Sequence, residues 1–370
     1  MTAAAETPLR TPLHATHLEH GARMVPFAGW EMPIHYGSIL DEHRAVRSGV
    51  GLFDLSHMGE IEIRGPEAMA FTRYAVVSDP ANLEVGQAQY SMLCQADGGI
   101  IDDLILYRLP DGYLLVCNAA NHDVVVEHLA ALRQAADFDA RIDDRSSRTA
   151  LVAPQGPAAA EVLAGLTDLD LSDLGNYRAA RGQVAGVDCL VARTGYTGED
   201  GFELFCDSRR ARTIWRALLE AGAAHDIQPC GLGCRDTLRL EAGMPLYGNE
   251  LDRSVNPYEA NLGRVVKLDK GEFAGRAALA AIQQTGPRRR LVGLQLAGDG
   301  IARSGYPVLI DGQQVGSVTS GTMSPTLGHA VALAYLPSAE AAVGGQVEVA
   351  IRDRQVGAEQ VKLPFYRRPQ

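Results

Sequence analysis

Apolar and polar positions alternate along the chain with two different periods. Gly59–Arg64 (GEIEIR) switches at every residue, which predicts a half-buried strand. Leu104–Leu109 and Tyr113–Cys117 flank Pro110-Asp111-Gly112 and predict a hairpin. A second hairpin is expected between Cys189–Arg193 and Phe202–Cys206. Helical spacing marks Ile39–Ser48, Glu67–Tyr74 and Arg209–Ala223, the last with Ser208 as its expected cap. It also marks His122–Ala135, where Val125, Leu129 and Leu132 share a face and Asn121 is the expected cap. Phe27–Pro33 reads as a packed loop, and His14, His17 and His20 as one side of a short polar helix. Strands followed by helices indicate an α+β body. After about residue 285 the helical period disappears. Leu291–Leu296, Pro307–Ile310, Gln314–Ser317, Val331–Leu336, Val347–Ile351 and Gln355–Val361 are short strand candidates, with turns at Asp311-Gly312 and Arg352–Arg354. This tail predicts a small all-β barrel or sandwich behind a linker at Gln283–Arg290.

Composition narrows the picture. The chain has 370 residues, enough for two or three domains. Its 46% hydrophobic and 21% charged content is that of a globular protein and excludes disordered, collagen-like and coiled-coil chains. The net charge of -11 argues against bulk nucleic-acid binding. No apolar run approaches the ~18 residues of a membrane span. The leader Met1–Arg10 contains Glu6 and Pro8 and has no apolar core, so the expected location is cytoplasmic. Cysteines stand at 94, 117, 189, 206, 230 and 234. Cys230 and Cys234 could share a helix face, but no second Cys or His cluster accompanies them, so six reduced thiols and no metal site are expected. Walker A, dinucleotide-binding, zinc-protease and nucleophile-elbow motifs do not occur.

Three segments carry candidate chemistry. Gly98–Leu104 (GGIIDDL) sets two carboxylates at the start of an apolar strand; alternation turns only one of them inward, as a proton acceptor or cation stabiliser. Arg193–Leu204 is a Gly-rich loop holding Tyr196, closed by a strand on which Glu203 opposes Phe202 and Leu204. That carboxylate suits the paired N–H edge of a flat heterocycle. Gly233–Gly243 reads as a helix on which Arg235, Arg239 and Glu241 cannot all be interior.

With Phe27-Ala28-Gly29-Trp30, Phe53–Met58 and Leu246–Asn249, these segments resemble, in order and nearly end to end, the T-protein family of the glycine cleavage system. The resemblance implies an α+β fold of three domains in a clover-leaf arrangement around a central folate hole. The first domain would be 1–50 with 145–245, the second 51–144 with 246–284, and the third a C-terminal β barrel at 285–370. It implies an aminomethyltransferase that takes a one-carbon unit from the aminomethyl-lipoyl H-protein to tetrahydrofolate. The products would be 5,10-methylenetetrahydrofolate, ammonia and dihydrolipoyl H-protein. Expelling ammonia leaves an iminium-like or thionium-like cation, which a fixed carboxylate would stabilise. By motif position that carboxylate is Asp103. Glu203 matches the pterin-gripping carboxylate and Arg235 a folate-binding arginine. Tyr90, Asn118 and Tyr196 would border the pocket, Met58 would form an apolar wall, and Arg367 would face the carrier tunnel or the folate tail. An acidic carrier calls for a basic patch, for which Arg288–Arg290 is the local candidate. Alternatives within the resemblance are a related tetrahydrofolate-dependent demethylase and a non-catalytic folate-binding protein of iron–sulfur enzyme maturation.

Overall fold

In the computed structural model, which describes residues 7–369, the chain divides into two compact units. The leader Met1–Glu6 lies outside the described residues. One unit comprises the segment ending at Ile61 together with Asp144–Asp236; the other comprises Glu62–Asp143 and everything from Thr237 onward.

The first unit is built on a six-stranded sheet. Its order is Ala179–Val184, Val187–Ala192, Glu203–Asp207, Thr149–Gln155, Gly51–Asp54 and Gln228–Cys230. Only the last pair is parallel. Helices Ala159–Ala164 and Ala211–Ala221 pack on strand Thr149–Gln155. Leu52, Val152, Phe202, Leu204 and Trp215 form a continuous core there, each fully buried. Cys189 and Cys206 face each other in the predicted hairpin. The helix capped by Ser38 runs Ile39–Ser48, as its spacing predicts.

Three expectations for this unit need correction. Phe27–Pro33 is not a loop but the turn and second-strand portion of a two-stranded ribbon, Arg23–Phe27 with Trp30–His35. Ala28 and Gly29 turn it with φ of 50° and 82°, the left-handed pair a tight hairpin requires. The histidine-bearing helix His14–Glu19 is not a polar surface element. His17 is fully buried, with Nε2 2.8 Å from Asp54 Oδ2 and Nδ1 2.7 Å from the Tyr36 hydroxyl. Ser208 does not cap the next helix: Asp207 accepts from Arg209 N, a 3-10 turn follows, and the helix proper is Ala211–Ala221.

The second unit contains the sheet Ala88–Cys94, Ile100–Leu109, Gly112–Cys117, Gly59–Arg64 and Arg141–Asp144, in that order. Helices Ala68–Ala75 and His122–Ala135 cover it. The tail is a closed six-stranded barrel: Arg289–Leu296, Ala330–Pro337, Gln313–Met323, Pro307–Ile310, Gln346–Ile351 and Arg354–Val361, with Gly293–Leu296 pairing Ala358–Val361 to shut it. Asp311 and Gly312 both take positive φ at their predicted turn. The third strand runs well past the predicted Ser317. The helix Leu232–Glu241 crosses from one unit into the other along the chain. Its Arg239 and Glu241 are both interior, while Arg235 stays half-buried, so the three are not all interior, as expected. Arg239 pairs with Glu250 at 2.7 Å and donates to Ser320 Oγ at 2.7 Å. Glu241 accepts from Ser324 Oγ, Thr326 N and Thr326 Oγ1. Charges survive burial here because each is answered by a partner or a full set of hydrogen bonds.

Candidate active site

In the first unit, the loop between strands Val187–Ala192 and Glu203–Asp207 gathers three of the expected residues. Phe202 and Leu204 are fully buried, which leaves Glu203 on the opposite, half-exposed side of the strand. Thr194 Oγ1 donates to Glu203 Oε2 at 2.5 Å and orients the carboxylate. The guanidinium of Arg235, in the first turn of helix Leu232–Glu241, lies 4.5 Å from the centroid of the Tyr196 ring. Glu203, Tyr196 and Arg235 line one shallow recess together with Phe53, Leu55 and Gln155. A flat cationic and aromatic face beside a carboxylate suits a planar heterocycle that presents adjacent N–H groups.

The loop is stapled from beneath and from both flanks. Arg193 grips Asp200 through two bonds of 2.9 and 2.6 Å. Arg47 donates to Thr197 O and to Glu199 Oε1, each at 2.8 Å. Gln155 lies under the loop: its amide donates to Thr194 O and Phe202 O and accepts from Thr197 Oγ1 at 3.0 Å. A Cβ on Gly195 would sit 2.0 Å from Gln155 Oε1, so the loop closes only because that residue has no side chain. Gln155 is the principal residue that sequence reasoning misses. It is about forty positions from its partners, and no local pattern announces it.

Met58 lies half-buried in the turn after strand Gly51–Asp54, outside the residues lining the recess. Its neighbour His57 is buried, packs edge-on against Phe27, and keeps Nδ1 without a partner. Burial, then the Arg235 charge, hold the His57 pKa down to about 4.

In the second unit, the open end of the predicted hairpin and the neighbouring strand Ala88–Cys94 bring Asp103, Tyr90 and Asn118 together. Asp103 accepts from the Tyr90 hydroxyl at 3.0 Å and from Asn118 Nδ2 at 2.8 Å. Strand alternation predicts that Asp102 turns away from this cluster. Instead Asp102, fully buried, accepts from Asn118 N at 2.9 Å, from Asn118 Nδ2 at 2.9 Å and from Asn121 Nδ2 at 2.6 Å. Two local features allow it. A register shift between Leu93 and Cys94 leaves Ile101 as the extra residue beside Asp102. Asn118 follows the last pair of the ladder, Leu104 with Cys117, and its amide turns to bridge both carboxylates. Burial, and then the charge of Asp103, raise the Asp102 pKa above the ordinary carboxylate range, while the N–H donors of Asn121 and Asn118 oppose the shift. The Tyr247 hydroxyl, from the predicted Leu246–Asn249 motif, donates to Ile100 O at the mouth of the same strand.

Arg367 is exposed in the terminal segment, outside the hydrogen-bonded cluster around Asp103. Of the arginine run, Arg289 turns inward to Glu259 at 3.3 Å and stacks on Tyr335, while Arg288 and Arg290 are exposed. All six cysteines are buried, and none of them forms a disulfide. Among the described residues no helix is long and apolar enough to cross a membrane.

Two family descriptions match this sequence in tandem: the GCVT N-terminal domain over residues 13–270, and the glycine cleavage T-protein C-terminal barrel domain over 289–367. An aminomethyltransferase of Streptomyces avermitilis is 54% identical over 99% of both chains. One of Moorella thermoacetica is 50% identical over 97% of this chain and 98% of its own. The crystal structure of the glycine cleavage system aminomethyltransferase T from Bartonella henselae superimposes with a TM-score of 0.92 at 36% identity, covering 98% of this chain and 99% of that one.

Proposed function

Because the chain belongs to the glycine cleavage T-protein family and is an aminomethyltransferase, we propose that it moves its one-carbon unit from a lipoyl-bound carrier, the H-protein, to tetrahydrofolate, with its two clusters dividing the work. The products are then 5,10-methylenetetrahydrofolate, ammonia and the dihydrolipoyl carrier. The barrel, residues 285–370, acts as a third domain within the second unit, in keeping with the separate family description it matches.

The first-unit cluster is the ring-binding half. Glu203, oriented by Thr194, accepts from the N–H edge of the pterin, and the Arg235–Tyr196 stack supports its flat face. The donor set fits such a ligand: one fixed carboxylate, one guanidinium and one aromatic ring at a single recess. Phe53 and Leu55, not Met58, supply the apolar wall of this recess, and Arg367 meets the folate tail or the carrier arm.

The second-unit cluster is the charge-stabilising half. Asp103, held by Tyr90 and Asn118, faces the positive charge that develops on the migrating carbon as ammonia departs. Its value lies in being fixed: a carboxylate already oriented by two donors does not reorganise when charge appears. Asp102 supports this by anchoring Asn118, whose side-chain amide bonds both carboxylates.

The observation that carries this reading is the doubly held Asp103 in the second unit, in a chain whose first unit carries the Glu203–Arg235–Tyr196 recess. Ammonia release from aminomethylated carrier protein in the presence of tetrahydrofolate tests it. Dimethylglycine and dimethylsulfoniopropionate serve as competing donors. Turnover with either of those and none with the carrier would replace the assignment with a demethylase.

A further inference from the structure

The geometry points to a thiophilic divalent-metal site, of the Zn2+ class, formed by Glu42, Cys230 and Cys234 in the first unit. All three are buried, and their donor atoms lie within 4.8 Å of one another. Sequence spacing shows only the two cysteines. The fold supplies the third donor from helix Ile39–Ser48, 188 positions before Cys230.

The cluster has the construction of a buried, rigidly framed site that supplies three ligands and leaves one position to a water or another donor. Cys230 ends strand Gln228–Cys230 and Cys234 opens helix Leu232–Glu241, so both thiols sit on a short, fixed connection. Glycines let the surrounding chain close on it. A Cβ at Gly51 would lie 2.7 Å from Cys230 Sγ, one at Gly231 would lie 2.4 Å from the Ile34 carbonyl, and one at Gly233 would lie 2.6 Å from Ile39 Cδ1. The carboxylate is already oriented: Tyr36 N donates to Glu42 Oε1 at 2.6 Å and Gly231 N to Oε2 at 2.9 Å. Outer donors of this kind fix a ligating group before an ion arrives. The Cys234 thiol donates to Gly231 O at 3.3 Å and the Cys230 thiol to Glu42 O at 3.7 Å, contacts that an entering ion would replace.

The charge balance favours a divalent ion. Two thiols and one carboxylate together carry one negative charge. Entry of one M2+ releases two thiol protons to solvent and leaves the same single negative charge in the interior, so binding adds no net buried charge. Two sulfur donors with one oxygen select zinc-like ions over magnesium or calcium. Bound there, the ion would tie the start of helix Leu232–Glu241 to helix Ile39–Ser48, and Arg235 is the residue immediately after the ligand Cys234. Its role is to hold that helix start, not to touch substrate.

The test uses the full-length chain, stripped with chelator and reduced with a phosphine, then titrated with Co2+. The expected result is thiolate-to-cobalt charge-transfer absorbance that saturates at one ion per chain and is displaced by Zn2+. Zn2+ alone should raise the melting temperature of the same sample. Cys230→Ser and Cys234→Ser should each lose charge-transfer intensity. Glu42→Gln should keep that intensity and bind at least ~10-fold more weakly. A wild-type Co2+ spectrum without thiolate charge transfer overturns the site. So does equal Zn2+ stoichiometry in the wild type and the double serine variant. If a serine variant does not fold, the wild-type titration decides alone. No folate or carrier enters this experiment, so its outcome is independent of the catalytic assignment.

Discussion

Asn121 donates its side-chain amide to Asp102 at 2.6 Å and does not cap the helix His122–Ala135 that begins beside it. Asn118 closes the same arrangement from the other side, giving Asp102 three N–H donors while sharing one of them with Asp103. The two carboxylates are therefore held as a unit, with Asn118 Nδ2 bonded to both.

Asp103→Asn separates binding from chemistry. The substitution keeps the shape and removes the charge that opposes the developing cation. Folate affinity should stay nearly unchanged by titration calorimetry, while ammonia release should fall at least ~100-fold, the usual scale for losing one preorganised electrostatic group. Retained turnover would remove Asp103 from the mechanism.

The same variant changes how stability depends on pH. Asp102 has a raised folded pKa, so the folded chain holds a proton that the unfolded chain has already released. Stability from this group is present at low pH and is lost as pH rises through the folded pKa, above the ordinary carboxylate range. Asp103→Asn deletes the neighbouring charge that contributes to the shift. Melting temperature followed from mildly acidic to mildly alkaline pH should therefore fall less steeply in the variant than in the wild type.

His57 acts with the opposite sign. Its folded pKa of about 4 lies below the ordinary histidine value, so on acidification the unfolded chain takes up a proton first. Stability should be full above about pH 6.5 and decline towards pH 4, by about 2 kcal/mol at pH 5 for this one group. Urea midpoints at pH 7 and pH 5 should differ less in His57→Gln than in the wild type. An unchanged slope would mean that His57 protonates in the folded protein.

Much of the site was legible in the residues, and the failures have a common cause. Alternation around Glu203 needed only the sequence, because Phe202 and Leu204 are apolar neighbours on one strand. The barrel strands were visible because each is a short apolar run between turn residues. What the sequence hid were polar groups satisfied from far away. Asp102 is turned into the site by Asn118 across a hairpin, Arg239 is neutralised by Glu250 and Ser320, and His17 is buried by Asp54. In each case local propensity indicated a solvated or capping group, and a distant partner made burial affordable. Lys270 belongs to the same class. Its ammonium donates to Arg73 O and Ser78 O, each at 2.6 Å, and to Val76 O, closing the end of helix Ala68–Ala75.

Lys270→Met should cost about 2–3 kcal/mol, because three carbonyls at that helix end lose their donor in a buried place. Urea unfolding measures this directly. Folate affinity should be untouched in the fraction that folds, since Lys270 is remote in sequence and chemistry from Glu203 and Arg235. A loss below about 0.5 kcal/mol would mean that water replaces the ammonium without penalty.

Gly195→Ala tests whether the loop geometry, and not only the Glu203 charge, determines ring binding. The added methyl would lie 2.0 Å from Gln155 Oε1 and 2.7 Å from Gln155 Cδ, too close for any rotamer adjustment of a few tenths of an ångström. Gln155 cannot withdraw cheaply, because its amide bonds Thr194 O, Phe202 O and Thr197 Oγ1 in a buried place. The loop must then lift, and Thr194 moves with it, releasing the hydroxyl that orients Glu203. Folate affinity should drop by at least ~10-fold, about the worth of one oriented hydrogen bond to a charged group. Gly165→Ala is the control: a Cβ there meets nothing within 4 Å, and affinity should not change. If Gly195→Ala binds folate like the wild type, the Thr194–Glu203 contact does not set the position of the carboxylate, and Glu203 must be oriented by the ligand itself.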